Sequence, residues 1–246
     1  MVVQSKTPGK IDAGPDLSPA ARATYARAAG AVLLVAVASV AATHIGPAVI
    51  GGTRASGTSN LTTIAAYYSH PSMLPFWWQG GISLIAIVLF AALFRRYLHT
   101  FAPPPLIAAL IDAAALMTVA ACPLYALAVG LESAMVQIAA AGDAARPALL
   151  GVFAAWDWTY NSFAYFFEAG YMAGWAIVAW RLNALPRWIT AVAAITAGGH
   201  LFNSQVLVSH LSDNLTLIPT ACFFLWFVST GIYLVRGGSR TRAAKQ

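Results

Sequence analysis

Charge is what this sequence has least of. Only 9% of its 246 residues are Asp, Glu, Lys or Arg, against about a quarter in soluble globular domains, too few to solvate a water-facing exterior. Cysteine occurs twice, which excludes a disulfide scaffold or a zinc ribbon. A Gly-rich phosphate loop, a Ser/His/Asp arrangement and a paired-Cys redox motif are all missing from the sequence. What is present is apolar. Hydrophobic residues make up 59% and aromatic residues 12%, with a mean hydropathy of +0.70. That composition excludes disorder and describes an integral membrane protein. At about 20 apolar residues per crossing, the length admits about six or seven helices and no separate soluble domain.

Six crossings can be traced. Residues 1–26 carry Lys6, Lys10 and Arg22 with little apolar content and read as a flexible cytoplasmic tail, although Ser18 and Pro19 form a helix-start signal at its end. The first crossing runs from Ala28 to Ile50 and is loosened by Gly46-Pro47. A leader peptide cleaved at the small residues 38–42 is the competing reading, but the apolar run outlasts the roughly 7 to 15 residues of a leader. Leu61, Ile64, Ala65 and Tyr68 recur at helical spacing and suggest a short helix lying in the interface. The second crossing spans Phe76 to Phe94, between Trp77-Trp78 and Arg95-Arg96, and the third spans Leu106 to Val129, interrupted by Asp112 and Pro123. Residues 131–157 hold Glu132, Asp143 and Arg146 and read as an external loop with an interfacial helix. One helix from Pro147 to Trp180 would reach about 51 Å, far beyond a hydrocarbon core of about 30 Å, so a break is expected near Asp157. Crossings four to six then cover Trp158–Trp180, Trp188–Val208 and Leu215–Val235, leaving 237–246 as a second cytoplasmic tail.

This trace sorts the basic residues. Twelve of the fourteen fall on the side of the termini, and only Arg54 and Arg146 fall on the other. The positive-inside rule therefore places both termini in the cytoplasm of a multi-pass protein of the bacterial inner membrane. Topology explains the net charge of +6; the basic residues are dispersed, with no stripe that would follow a nucleic-acid backbone. Anionic lipid is the expected partner of the tails.

An ionisable group inside a crossing costs a few kcal/mol and usually faces a partner in the bundle interior. Glu168 lies near the midplane of the fourth crossing, on a line with Asp157, Asn161, Tyr165, Met172 and Trp175 at three- and four-residue steps. His200 and Asn203 share a side of the fifth crossing, and His44 lies at a similar depth in the first. Convergence of Glu168, His200 and His44 would make an acid/base group, with Glu168 and His200 as the catalytic candidates and His44, Asn161, Tyr165 and Asn203 as ligand-binding donors around it. A metal site on the two histidines and the carboxylate ranks behind this reading, because three separate segments supply them and no motif such as His-Glu-x-x-His is present. The bland reading is a buried carboxyl, bonded to His200 or Tyr165, that ties helices together. Asp112 is expected to pair with Arg95 or Arg96. Gly170 and Gly174 permit close helix approach, within the bundle as readily as between copies.

Ala28-Ala29-Gly30 at the first crossing, Asn161-Ser162 ahead of the fourth and the turn Leu185-Pro186-Arg187-Trp188 resemble a widespread uncharacterised family of six-helix bacterial membrane proteins, a domain-of-unknown-function class. The likeness covers roughly residues 25 to 235. It implies fold and location and brings no activity and no cofactor.

The expected fold class is thus all-α, a polytopic transmembrane bundle of six crossings. The leading function is an outer-half pocket for a small lipid-like or isoprenoid ligand, as an acid/base enzyme or as a binding protein. The alternative is a non-catalytic accessory subunit of a membrane complex, whose polar residues contact a membrane-protein partner. A transporter is third, since no internal repeat is visible. Single cysteines at positions 56 (Ser56) and 141 (Ala141) should be labelled from outside intact cells, and one at Ser239 only after permeabilisation; external labelling at Ser239 would contradict the six-crossing trace.

Overall fold

The computed structural model describes residues 18–51, 59–70, 74–204 and 213–237. It is all-helical over these residues. The helices are α1 (Pro19–Gly51), α2 (Leu61–Tyr68), α3 (Leu74–His99), α4 (Pro105–Ala140), α5 (Arg146–Trp158), α6 (Tyr165–Leu182), α7 (Arg187–Asn203) and α8 (Asp213–Val235). Among the described residues four stretches are long and apolar enough to cross a membrane: Pro19–Thr43, Gln79–His99, Pro105–Ala140 and Leu217–Val235. The molecule is a helical membrane bundle. Large apolar side chains such as Ile85, Leu106, Leu116, Ile177 and Ile195 stand exposed on its outside, as lipid-facing positions require.

Local chemistry sets the helix ends. Ser18 Oγ accepts from Ala21 N at 3.0 Å and Pro19 opens α1. Residues 19–26 are therefore helix rather than tail: Ala26 is buried, and Arg22 bonds the Thr100 carbonyl at 2.7 Å while lying over the Phe101 ring. Residues 1–17 and 238–246 of the expected tails lie outside the described residues. Asn60 caps α2 through Thr63 N at 2.9 Å, and Asn183, left-handed at φ 50°, ends α6 ahead of Pro186.

Long helices α1, α3, α4, α6, α7 and α8 form a closed ring in which each packs on the next and α8 returns to α1. Neighbours run antiparallel. One end of the ring holds Arg22, Arg27, Arg95, Arg96, Arg181, Arg187 and Arg236, and it is also where α1 starts and α8 finishes. At this end Asp112 takes Arg95 Nε at 2.7 Å and His99 Nε2 at 2.9 Å, the pairing expected, and its half-exposed setting limits the worth of these contacts to about 0 to 1 kcal/mol. The ring core is aromatic. Phe90 stacks on Phe94, and Trp175 and Trp226 meet them edge-on, with ring centroids 5.1 to 6.2 Å apart. Such contacts carry the packing where lipid removes the hydrophobic drive between helices.

The far end departs from expectation. No external loop occupies 131–140. Helix α4 runs on for 36 residues, about 54 Å, and turns at Asp143–Ala145 into α5. Nor is there a break near Asp157. Residues 146–182 form one continuous helical run, relieved by a π-helical turn at Thr159–Ala164. The excess length that argued for a break is instead taken up by a hairpin standing beyond the ring. It has its own core, in which Ile64, Tyr67 and Tyr68 of α2 are buried against Met135, Val136, Leu149, Phe153 and Trp156. The apolar face of α2 thus meets protein rather than lipid. Likewise α1 stays helical through Gly46-Pro47.

Small residues fix the closest approaches. A Cβ on Gly30 would lie 2.7 Å from the Gly231 carbonyl oxygen on α8. Gly174 packs against Ala114 and Gly170 against Met117, so the Gly-x-x-x-Gly serves the α4–α6 contact. Nothing lies within 4 Å of the same atom on Gly81. Gly30→Ala should therefore lower the unfolding temperature in detergent, whereas Gly81→Ala should leave or raise it, since helical Ala gains up to about 1 kcal/mol over Gly. Equal effects would contradict the tight α1–α8 contact.

Candidate functional site

Toward the far end the ring surrounds a partly open cavity of about 90 Å³. All six ring helices line it. Val40 and Thr43 come from α1, Ser83, Leu84 and Ile87 from α3, Tyr125, Ala128 and Glu132 from α4, Glu168 and Tyr171 from α6, His200 from α7, and Phe223 and Phe224 from α8. The wall is mainly aromatic and aliphatic. Its titratable groups among the described residues are carboxylic, phenolic and imidazole.

Glu168 and His200 meet on this wall, as expected. Both are almost fully buried, at 4% and 2% exposure. His200 Nδ1 lies 2.5 Å from Glu168 Oε2. The ring N–H is not aligned with that oxygen, so the contact is a close approach rather than a linear hydrogen bond. The other carboxyl oxygen, Oε1, accepts the Tyr125 hydroxyl. Helix contacts position each member. A Cβ on Gly199 would sit 2.4 Å from Pro219 Cγ, so glycine at 199 lets α7 press against α8 at Pro219. This holds the His200 ring between Tyr165, stacked at 4.8 Å, and Phe223 at 5.6 Å.

The π turn decides what faces the cavity. Tyr160 and Tyr165, five residues apart, both line it, which is the i, i+5 relation of a π turn. Their rings continue an aromatic chain from Trp156 through Tyr160 and Tyr165 to His200. A regular helix would have put Asn161 on that line. Here Asn161 is not a lining residue; its Nδ2 donates to Asp157 Oδ1 at 2.6 Å. Asn203 is buried at the end of α7 and does not line the cavity either. His44 belongs to α1 by its backbone, but its side chain lies outside the described residues, so its expected convergence with Glu168 and His200 does too. Among the described residues no group of three His, Cys, Asp or Glu could hold a metal ion.

Tyr125 and Glu132 were not anticipated as site residues. Glu132, expected in an external loop, is buried on α4 with 6% exposure and lines the cavity. Their signal was present: Thr118, Cys122, Tyr125, Val129 and Glu132 recur at steps of four, three, four and three, one face of a helix that does not stop at Val129. Thr118 on the same face accepts Trp175 Nε1 at 3.1 Å, tying α4 to α6 about two turns from the carboxyl.

No known protein family, curated protein or solved structure matches this chain.

Proposed function

We propose that the chain crosses the bacterial inner membrane six times with both termini in the cytoplasm, and that its cavity, in the outer half, binds a small lipid-like or isoprenoid molecule on which Glu168 and His200 act as acid and base. The topology is supported by the arginines gathered at the termini end of the ring. One observation carries the function: a buried carboxyl and a buried imidazole lie 2.5 Å apart on the wall of an otherwise largely aromatic and aliphatic cavity. A carboxyl and an imidazole within proton-transfer distance of each other, both kept from bulk water, suit general acid/base work on a ligand held beside them. A carboxyl that merely tied helices would need the Tyr125 and His200 contacts but no adjoining space.

Leu84 lines the cavity from α3 and lends itself to a filling substitution. Protein purified from its native membrane into nanodiscs and extracted for mass spectrometry should carry one class of small lipid-like molecule enriched over the bulk membrane. Leu84→Trp should lose that enrichment while unfolding at a similar temperature. A wild-type protein carrying only bulk lipids in bulk proportions would remove the binding reading and leave the accessory-subunit reading.

A further inference from the structure

Away from the cavity, the termini end of the ring carries far more positive than negative charge. Among the described residues its one acid is Asp112, and Asp112 is already engaged by Arg95 and His99. The turn between α6 and α7 has no such neighbour. Helix α6 ends at Leu182 and α7 begins at Arg187, so the link 183–186 is short and holds Arg181 and Arg187 at a similar depth. Both arginines are exposed, and among the described residues neither forms an ion pair. Arg187 is nonetheless positioned. Its Cζ lies 5.4 Å from the centre of the Trp180 ring, within cation–π reach.

What surrounds the two arginines faces lipid. Trp180 and Trp188 are 53% and 55% exposed, and indoles favour the boundary between head groups and acyl chains. Along α6, Trp180 shares a face with the exposed Ile177 one turn deeper, and along α7, Trp188 shares one with the exposed Ile195 two turns deeper. The turn therefore presents positive groups at head-group depth above apolar side chains at chain depth. A guanidinium takes phosphate oxygens in pairs. Two guanidinium groups with no acid beside them favour a head of net negative charge over one that carries its own cation. A soluble phosphate would use the arginines and leave the apolar face unused. We infer that the α6–α7 turn is a docking site for an anionic phospholipid, with Arg181 and Arg187 on its phosphodiester, the two indoles beside its ester groups and its chains along Ile177 and Ile195. The site lies on the outside of the ring and is independent of the cavity-binding reading.

Native mass spectrometry of the full chain in a neutral detergent, titrated with dioleoylphosphatidylglycerol or dioleoylphosphatidylcholine, tests this. The wild type should bind the glycerol lipid at least about tenfold more tightly, the factor expected of one to two arginines acting on a net negative head. Arg181→Gln with Arg187→Gln should abolish the preference. Arg96→Gln with Arg236→Gln removes the same charge from exposed positions at the same end and should leave it. Trp180→Leu keeps every charge but loses the ring that positions Arg187, and should weaken binding of the glycerol lipid by about two- to fivefold. All these side chains are exposed, so each variant should unfold at the wild-type temperature. Equal binding of the two lipids to the wild type, or a preference that survives in the Arg181/Arg187 variant, would overturn the site. An equal loss in the Arg96/Arg236 variant would overturn it too, since the attraction would then belong to the whole charged end. Displacement of the lipid by glycerol 3-phosphate at equal concentration would overturn a lipid as the occupant.

Discussion

A carboxyl group inside a membrane bundle cannot be left alone. Placing Glu168 in the ring interior costs several kcal/mol unless its oxygens find partners, and much of the far half of the molecule is arranged around supplying them. Helix α4 brings Tyr125 to one oxygen and α7 brings His200 to the other. For α7 to deliver His200, residue 199 must be glycine against Pro219. For α4 and α6 to stand at the right separation, Gly174 and Gly170 must receive Ala114 and Met117. The aromatic core at the termini end then holds the ring closed, with Phe94 against Trp175 and Phe90 against Trp226. Ring closure is also what leaves space in the middle, because six helices around a common axis leave a gap that side chains fill at one end and only line at the other.

The π turn at Thr159–Ala164 is the second structural decision. An α-helical register through this segment would have carried Asn161 toward Glu168. The wider turn brings Tyr160 there and sends the Asn161 amide to Asp157. A phenol and an aromatic face replace an amide beside the dyad, which makes the cavity less polar than the linear pattern of residues implied. The same run of helix continues into the hairpin beyond the ring, which shares a separate core with α2.

Much of this was legible in the sequence. Glu168 and His200 stood out because ionisable residues are rare in apolar helices, and rarity there signals a partner. The starts of α1 and α7, the Asp112–Arg95 pair and the sidedness of the arginines followed from capping, propensity and charge. What escaped has two causes. The polar residues Glu132, Asp143 and Arg146 were taken as loop, so α4 was ended at Val129, and the hydrocarbon thickness was taken as the limit on helix length, so a break was placed near Asp157. The first hid Glu132, although it lies on the same face of α4 as Thr118 and Tyr125. The π turn left no signal in spacing, since it exists to break the period being read. The core between α2 and the hairpin joins segments some seventy residues apart, and its apolar stripes look identical whether they face lipid or protein.

Coupling between the two dyad residues tests the account at its centre. A double-mutant cycle with Glu168→Gln, His200→Asn and the combined variant, read by unfolding free energy in nanodiscs, isolates their interaction from the separate cost of each change. The account predicts strong non-additivity, an interaction of about 1 to 3 kcal/mol, because each single change strands a buried partner that the double variant re-pairs as two amides. Additive effects, within about 0.5 kcal/mol, would mean that Glu168 and His200 are neighbours without dependence on one another, and the carboxyl-centred account of the fold and its cavity would be wrong.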